Sequence, residues 1–252
     1  MEGAEKVVIR AFRAKEDASS CQAYLHGHRK VLADIGVTNV LTAAETWCED
    51  DNTYVLVAEH AEFGMVGGLR LQVDDGENDL PMMSAIRSMD PRIGPVMRKL
   101  APHGNAELCG LWNSKEIAGR GLPNILGFAA VALASQIGIQ SMVGFVAHYT
   151  LRYALKVGFT IMEDVGDGGV FSYPVPNIKS IALVIPDVLV LENAPTRYRQ
   201  QIMSLRIRPD QVRHETITTM PLEVVYRLLL DRKILTLETY GSIVRERLRH
   251  TG

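Results

Sequence analysis

Cysteine is scarce in this chain: Cys21, Cys48 and Cys109 are the only three among 252 residues. An odd number at wide spacing makes neither a disulfide framework nor a set of zinc ligands. A reducing, cytoplasmic setting is the expectation that follows. A basic excess is also missing, the net charge being −2, so no broad nucleic-acid surface is expected. No apolar run reaches the roughly 18 residues of a membrane span. The start, MEGAEKVVIR, lacks the apolar stretch of a signal peptide. His26 and His28 stand two apart with no third ligand in view, so no metal site is expected. Low-complexity tracts and repeats of solenoid length are absent as well.

What is present is ordinary for a globular chain, 47% apolar and 22% charged. It is long enough to bury a core unaided. Alternation predicts strands at Val7–Phe12, Tyr54–Glu59, Met65–Val73, Ala106–Asn113, Ser141–Ala147, Phe159–Glu163, Val170–Tyr173 and Ile181–Leu191. Helical spacing predicts helices at Glu16–Ile35, Leu41–Cys48 and Met82–Leu100, the last interrupted near Pro91 and Pro95. A strong helix opens at Leu122, with Pro123 in its first turn, and stops at Gly138. A short one runs from Tyr149 to Lys156, closed by Gly158. Hairpins among strands and helices predict an α/β chain with a mixed (α+β) sheet. After Asn193 and Pro195 the chain turns arginine-rich, with helices expected at Pro221–Leu230 and Leu235–Arg249. The expected division is a catalytic-type domain over 1–192 and a helical C-terminal extension over 193–252, whose apolar helices allow a homodimer.

Residues 106–134, AELCGLWNSKEIAGRGLPNILGFAAVALA, carry the chemistry. A strand runs into a glycine turn and the turn into a helix, so backbone N–H groups gather at a helix N-terminus, where a phosphate is favoured. Gly119 and Gly121 lack the Cβ that would keep a pyrophosphate away, and Arg120 between them offers a charged contact.

The stretch Glu116-Ile117-Ala118-Gly119-Arg120-Gly121 resembles the acyl-CoA-binding loop of the GNAT acyltransferases. The later segment AHYTLRYALKVGF, 147–159, is similar to that family's second signature, a short helix ending in Gly-Phe before a strand. The resemblance spans about residues 6–190. It departs at Glu116, where the family usually has Gln or Arg, and at Ala154, where it often has a tyrosine; Tyr149 lies further back in the helix. GGLRLQ, 67–72, followed by a long insertion before Ala106, is similar to acyl-homoserine-lactone and N-acyl amino acid synthases within the same superfamily.

The resemblance implies a GNAT-like fold and an N-acyltransferase that uses acyl-CoA or acetyl-CoA, without a metal, to acylate a small-molecule amine. Aminolysis of a thioester needs a held carbonyl and a proton acceptor. Glu107, a carboxylate inside an apolar strand, is the candidate base, and Tyr149 a candidate near the departing thiol. Leu111, Trp112 and Asn113 are expected along the pantetheine arm, and Ile117, Ala118, Gly119, Arg120, Gly121 and Leu122 around the pyrophosphate. Two alternatives stand beside this. One takes its acyl chain from an acyl carrier protein to make a long-chain N-acyl amino acid or signal, the arginines Arg197, Arg199, Arg206, Arg208 and Arg213 docking the carrier. The other is a non-catalytic GNAT-like binding module.

Overall fold

The computed structural model describes residues 5–34, 36 and 45–230. Strand β1 (Glu5–Arg13) opens the chain. Helix α1 (Ala18–Asp34) follows, started by Asp17, whose Oδ1 accepts the Ser20 amide at 3.0 Å. Of the helix expected over Leu41–Cys48, residues 41–44 lie outside the described residues, and Glu45–Glu49 form a 3-10 turn. Strands β2 (Thr53–His60) and β3 (Gly64–Val73) are the expected hairpin. The interrupted helix resolves into α2 (Pro81–Arg87) and α3 (Ile93–Leu100). Only Pro91 falls in the break. Pro95 is the third residue of α3, in the first turn, where a missing N–H costs no intrahelical bond.

Strand β4 (Asn105–Asn113) leads through the glycine loop into α4 (Leu122–Ile137), and β5 (Ser141–Ala147) has the expected bounds. Helix α5 (Leu151–Val157) ends on Gly158 at φ 103°. Strands β6 (Thr160–Ile161), β7 (Val170–Ser172) and β8 (Lys179–Ile185) follow. The strand expected to continue to Leu191 stops at Ile185, because Pro186 cannot donate to a ladder. Beyond α6 (Thr196–Ile207) come β9 (Asp210–Glu215) and β10 (Leu222–Arg227). The helix expected at Pro221–Leu230 is therefore a strand, and the one expected at Leu235–Arg249 lies outside the described residues.

The described residues fall into two compact units. The first holds the chain up to Arg70, with Gly110–Ala132 and Gln201–Leu230; the second holds Leu71–Cys109 and Leu133–Gln200. In the first unit the strand order is β9-β10-β1-β2-β3-β4. β10 lies parallel to β1, Val224 opposite Val7, while β2 runs antiparallel to β1. Phe12, Cys21, Tyr24, Trp47, Val55, Val57 and Trp112 form a core between α1 and this sheet.

In the second unit β4 is followed by β5, β8 and β6, with β7 also on β8. β5 pairs with β8 from Met142 to Ala147, but with β4 only through Ser141, Met142 and Val143, opposite Asn105, Ala106 and Glu107. From Gly144 onward the edge of β5 that faced β4 has left the ladder. Met82, Ile86, Ile93 and Met97 of α2 and α3 pack with Val143, Phe171 and Ala182 in this unit's core. Among the described residues no helix is long and apolar enough to cross a membrane.

Candidate active site

Glu107 is the last β4 residue paired with β5, and it is buried, 3% exposed. A carboxylate there must be satisfied by hydrogen bonds. Its Oε2 accepts the amide of Met82 at 2.7 Å. Met82 is the second residue of α2, and the residue before that helix is Leu80, whose side chain cannot cap it. Glu107 thus supplies from β4 the acceptor that an Asp or Ser would normally supply locally.

In the first unit β4 changes conformation at Gly110, which has φ 63° inside the strand. A residue in this conformation bulges the strand and re-aims the peptide groups beside it. Tyr24 of α1 donates its hydroxyl to the Gly110 carbonyl and so fixes the bulge. A Cβ at Gly110 would overlap that hydroxyl and stand 3.7 Å from His28 Cε1. Beyond the bulge, Leu111 and Asn113 are half-buried, and the Asn113 amide donates to the Ser114 carbonyl at 3.0 Å. Trp112, expected along the pantetheine arm, is a core side chain, its ring against Gly27 and edge-on to Tyr24.

The glycine loop follows. Gly119 and Gly121 both take φ 78°. Among the described residues the amides of Gly119, Arg120, Gly121 and Leu122 make no hydrogen bond, while the Gly121 carbonyl accepts Asn124 at 3.0 Å and Ile125 at 3.2 Å. Backbone donors at the start of a long helix are the arrangement that favours an anion. Ile117 and Leu122 point into the core, so the loop offers backbone rather than side chains; Ala118 is exposed. Arg120 is ion-paired with Glu5 and contacts the Glu116 carbonyl at 3.4 Å. The half-buried Glu116 carboxylate is held below its ordinary pKa, first by its own backbone N–H and then by the Ser114 hydroxyl, so it is fully ionised at neutral pH.

The glycines have a second reason to be glycine. A Cβ at Gly119 would stand 2.7 Å from Met220 Cε, and one at Gly121 2.7 Å from Ile217 Cβ. The turn between β9 and β10 therefore packs where those side chains would be. Gly121→Ala combines this crowding with a positive φ, and about 2–3 kcal/mol of lost stability is expected in urea denaturation. Ile217→Ala in the same chain should return part of the loss.

Tyr149 is 52% exposed in a 3-10 turn after β5, its ring edge-on to His148 at 5.5 Å. Of the five arginines, Arg206 donates to the Val131 carbonyl at 3.2 Å and Arg213 pairs with Glu215 at 3.0 Å, so these two serve the interior of the first unit. Nothing in the sequence alone places Tyr24 and His28 beside Gly110. Their only local signal is a shared helix face one turn apart.

No family model and no curated protein matches this chain. Solved structures do. FeeM, an N-acyl amino acid synthase from uncultured soil microbes, matches with a TM-score of 0.56 at 13% identity, over 78% of this chain and 99% of that one. BjaI, a CoA-dependent acyl-homoserine lactone synthase solved with SAM and isopentyl-CoA, matches with a TM-score of 0.52 at 15% identity, over 96% and 99%. An acyl-CoA N-acyltransferase from Pseudomonas aeruginosa matches with a TM-score of 0.50 at 16% identity, over 71% and 99%. The chain has the GNAT-type acyltransferase fold, as the sequence resemblance implied. Within that fold it is similar to the synthases, as the insertion after GGLRLQ suggested.

Proposed function

We propose that the protein is an N-acyltransferase that moves an acyl group from acyl-CoA to a primary amine. The observation that carries this is the row of free amides from Gly119 to Leu122 at the start of α4, directly after a bulged strand. The amides would hold the donor's pyrophosphate. Leu111 and Asn113, beyond the bulge, would pair with the amides of its pantetheine arm as an added strand does. Glu107 would take the proton that the acceptor's ammonium loses on becoming a neutral amine, directly or through water. The test is calorimetric titration with acetyl-CoA and with a long-chain acyl-CoA. Binding of either supports the reading, and binding of neither overturns it as stated.

Glu116 gives a second, sharper check. An ionised carboxylate beside the loop repels a pyrophosphate. Glu116→Gln should tighten acyl-CoA binding about two- to five-fold at low salt, the scale of one exposed like-charge contact. The gain should shrink as salt is added.

The same carboxylate, and the apolar cover of Ile217 and Met220 on the glycine loop, favour one competing donor. A carrier protein delivers its phosphopantetheine without the adenine nucleotide, so less charge and bulk must pass this loop. Acyl transfer from acyl carrier protein, with no binding of free acyl-CoA, would select that donor.

A further inference from the structure

We propose that His28 is a catalytic residue of this site, contacting the acceptor amine and carrying the proton from that amine to the departing thiol. This rests on the N-acyltransferase reading and adds to it a group on α1.

The bulge at Gly110 is where β4 turns its peptide groups, and His28 stands at it, Cε1 3.7 Å from the position of a Cβ on Gly110. Tyr24, one turn earlier on α1, holds the other side through its bond to the Gly110 carbonyl. The ring packs at 5.8 Å and 43° to that of Tyr24. Neither ring nitrogen makes a hydrogen bond among the described residues, although the side chain is half-buried. Neither nitrogen is sealed from solvent, so both are open to a ligand.

The charge state suits the task. Burial first, and the Arg70 guanidinium of β3 second, push the His28 imidazolium down to about 4. The other titratable group against the ring is the Tyr24 phenol; Gly110 of β4 carries no charge. At neutral pH the imidazole is therefore neutral, with one acceptor and one donor nitrogen. In the reaction the amine lone pair forms the C–N bond at the thioester carbon. The nitrogen gives one proton to the imidazole. The C–S electron pair then leaves with sulfur, and the thiolate takes the proton back. An imidazolium with so low a pKa returns it readily to a thiolate, whose ordinary pKa is near 8.5. His28 ends as it began, and the products are an amide and a thiol.

The experiment measures thiol release from acetyl-CoA or a long-chain acyl-CoA with the proteinogenic L-amino acids and a simple alkylamine as acceptors. His28→Gln keeps hydrogen bonding without proton transfer, and His28→Phe keeps the aromatic packing. Both should lower kcat about 100-fold while leaving KM for the acyl-CoA unchanged. The Cε1–H resonance of His28, identified by its loss in His28→Gln, should shift when the productive amine saturates the wild type. Wild-type kcat in either variant, or an unmoved resonance in a turning-over enzyme, overturns the role of His28 and leaves the acyltransferase reading intact. No thiol release from the wild type with any of these amines overturns both.

Discussion

Glu107→Gln should leave the fold almost untouched and lower acyl transfer by about 100-fold or more, whereas Glu107→Leu should lose both fold stability and activity. The difference comes from what the carboxylate does at rest. Its Oε2 accepts the Met82 amide at 2.7 Å, in a place where only 3% of the residue is exposed. The Gln amide oxygen can accept the same bond, so α2 keeps its cap and the loss should stay within about 1 kcal/mol. Leucine cannot accept it. The Met82 N–H would then be buried without a partner, a loss on the order of 1–3 kcal/mol in chemical denaturation. A structural carboxylate and a proton acceptor thus give different pairs of results. Full activity in the Gln variant, with the stability loss confined to Leu, would make Glu107 a cap only and remove it from the chemistry.

Glu107 was legible in the sequence and its surroundings were not. A charge in an apolar strand advertises itself in the sequence. Its partner Met82 belongs to a helix whose sequence pattern runs on into α3, and nothing local links the two. The same limit governs the C-terminal segment. In Leu222-Glu223-Val224-Val225-Tyr226-Arg227-Leu228-Leu229, residues 222, 225, 226 and 229 trace a helical face, and 222, 224, 226 and 228 trace a strand face. Both patterns are good. Leu222, Val224, Tyr226 and Leu228 are the buried set, because the edge of β1 offers them a parallel partner from Glu5 to Arg10. A partner so distant in sequence decides the period, and no local propensity can override it. By contrast, α4 was readable almost to the residue, since Gly121 and Pro123 mark its start and Gly138 its end, and β5 has the expected bounds. The glycine loop was readable as a loop. That Ile217 and Met220 pack against its glycines was not, so the physical reason for glycine there was half seen.

Gly110→Ala should be the most damaging small substitution in β4, costing on the order of 2–4 kcal/mol. Two costs combine. Alanine at φ 63° meets the ordinary penalty of the left-handed region, and its methyl group would overlap the Tyr24 hydroxyl. Tyr24→Phe alone should cost less, about 0.5–1.5 kcal/mol, because it removes one hydrogen bond to the Gly110 carbonyl and leaves the ring among Trp47, Trp112 and His28. The two changes share a contact, so they should not add. Removing the hydroxyl relieves the overlap, and the double variant should be more stable than the sum of the singles predicts, by more than about 0.5 kcal/mol. Urea denaturation of the four proteins measures this coupling directly. Strict additivity would mean that the bulge does not depend on Tyr24, and the cost at Gly110 would then be backbone conformation alone. Coupling of the expected sign would show that α1 holds the bulge in place through Tyr24. The helix that carries His28 would then also set the direction of the β4 peptide groups beside it, so that acceptor-side chemistry and donor-side geometry share one support.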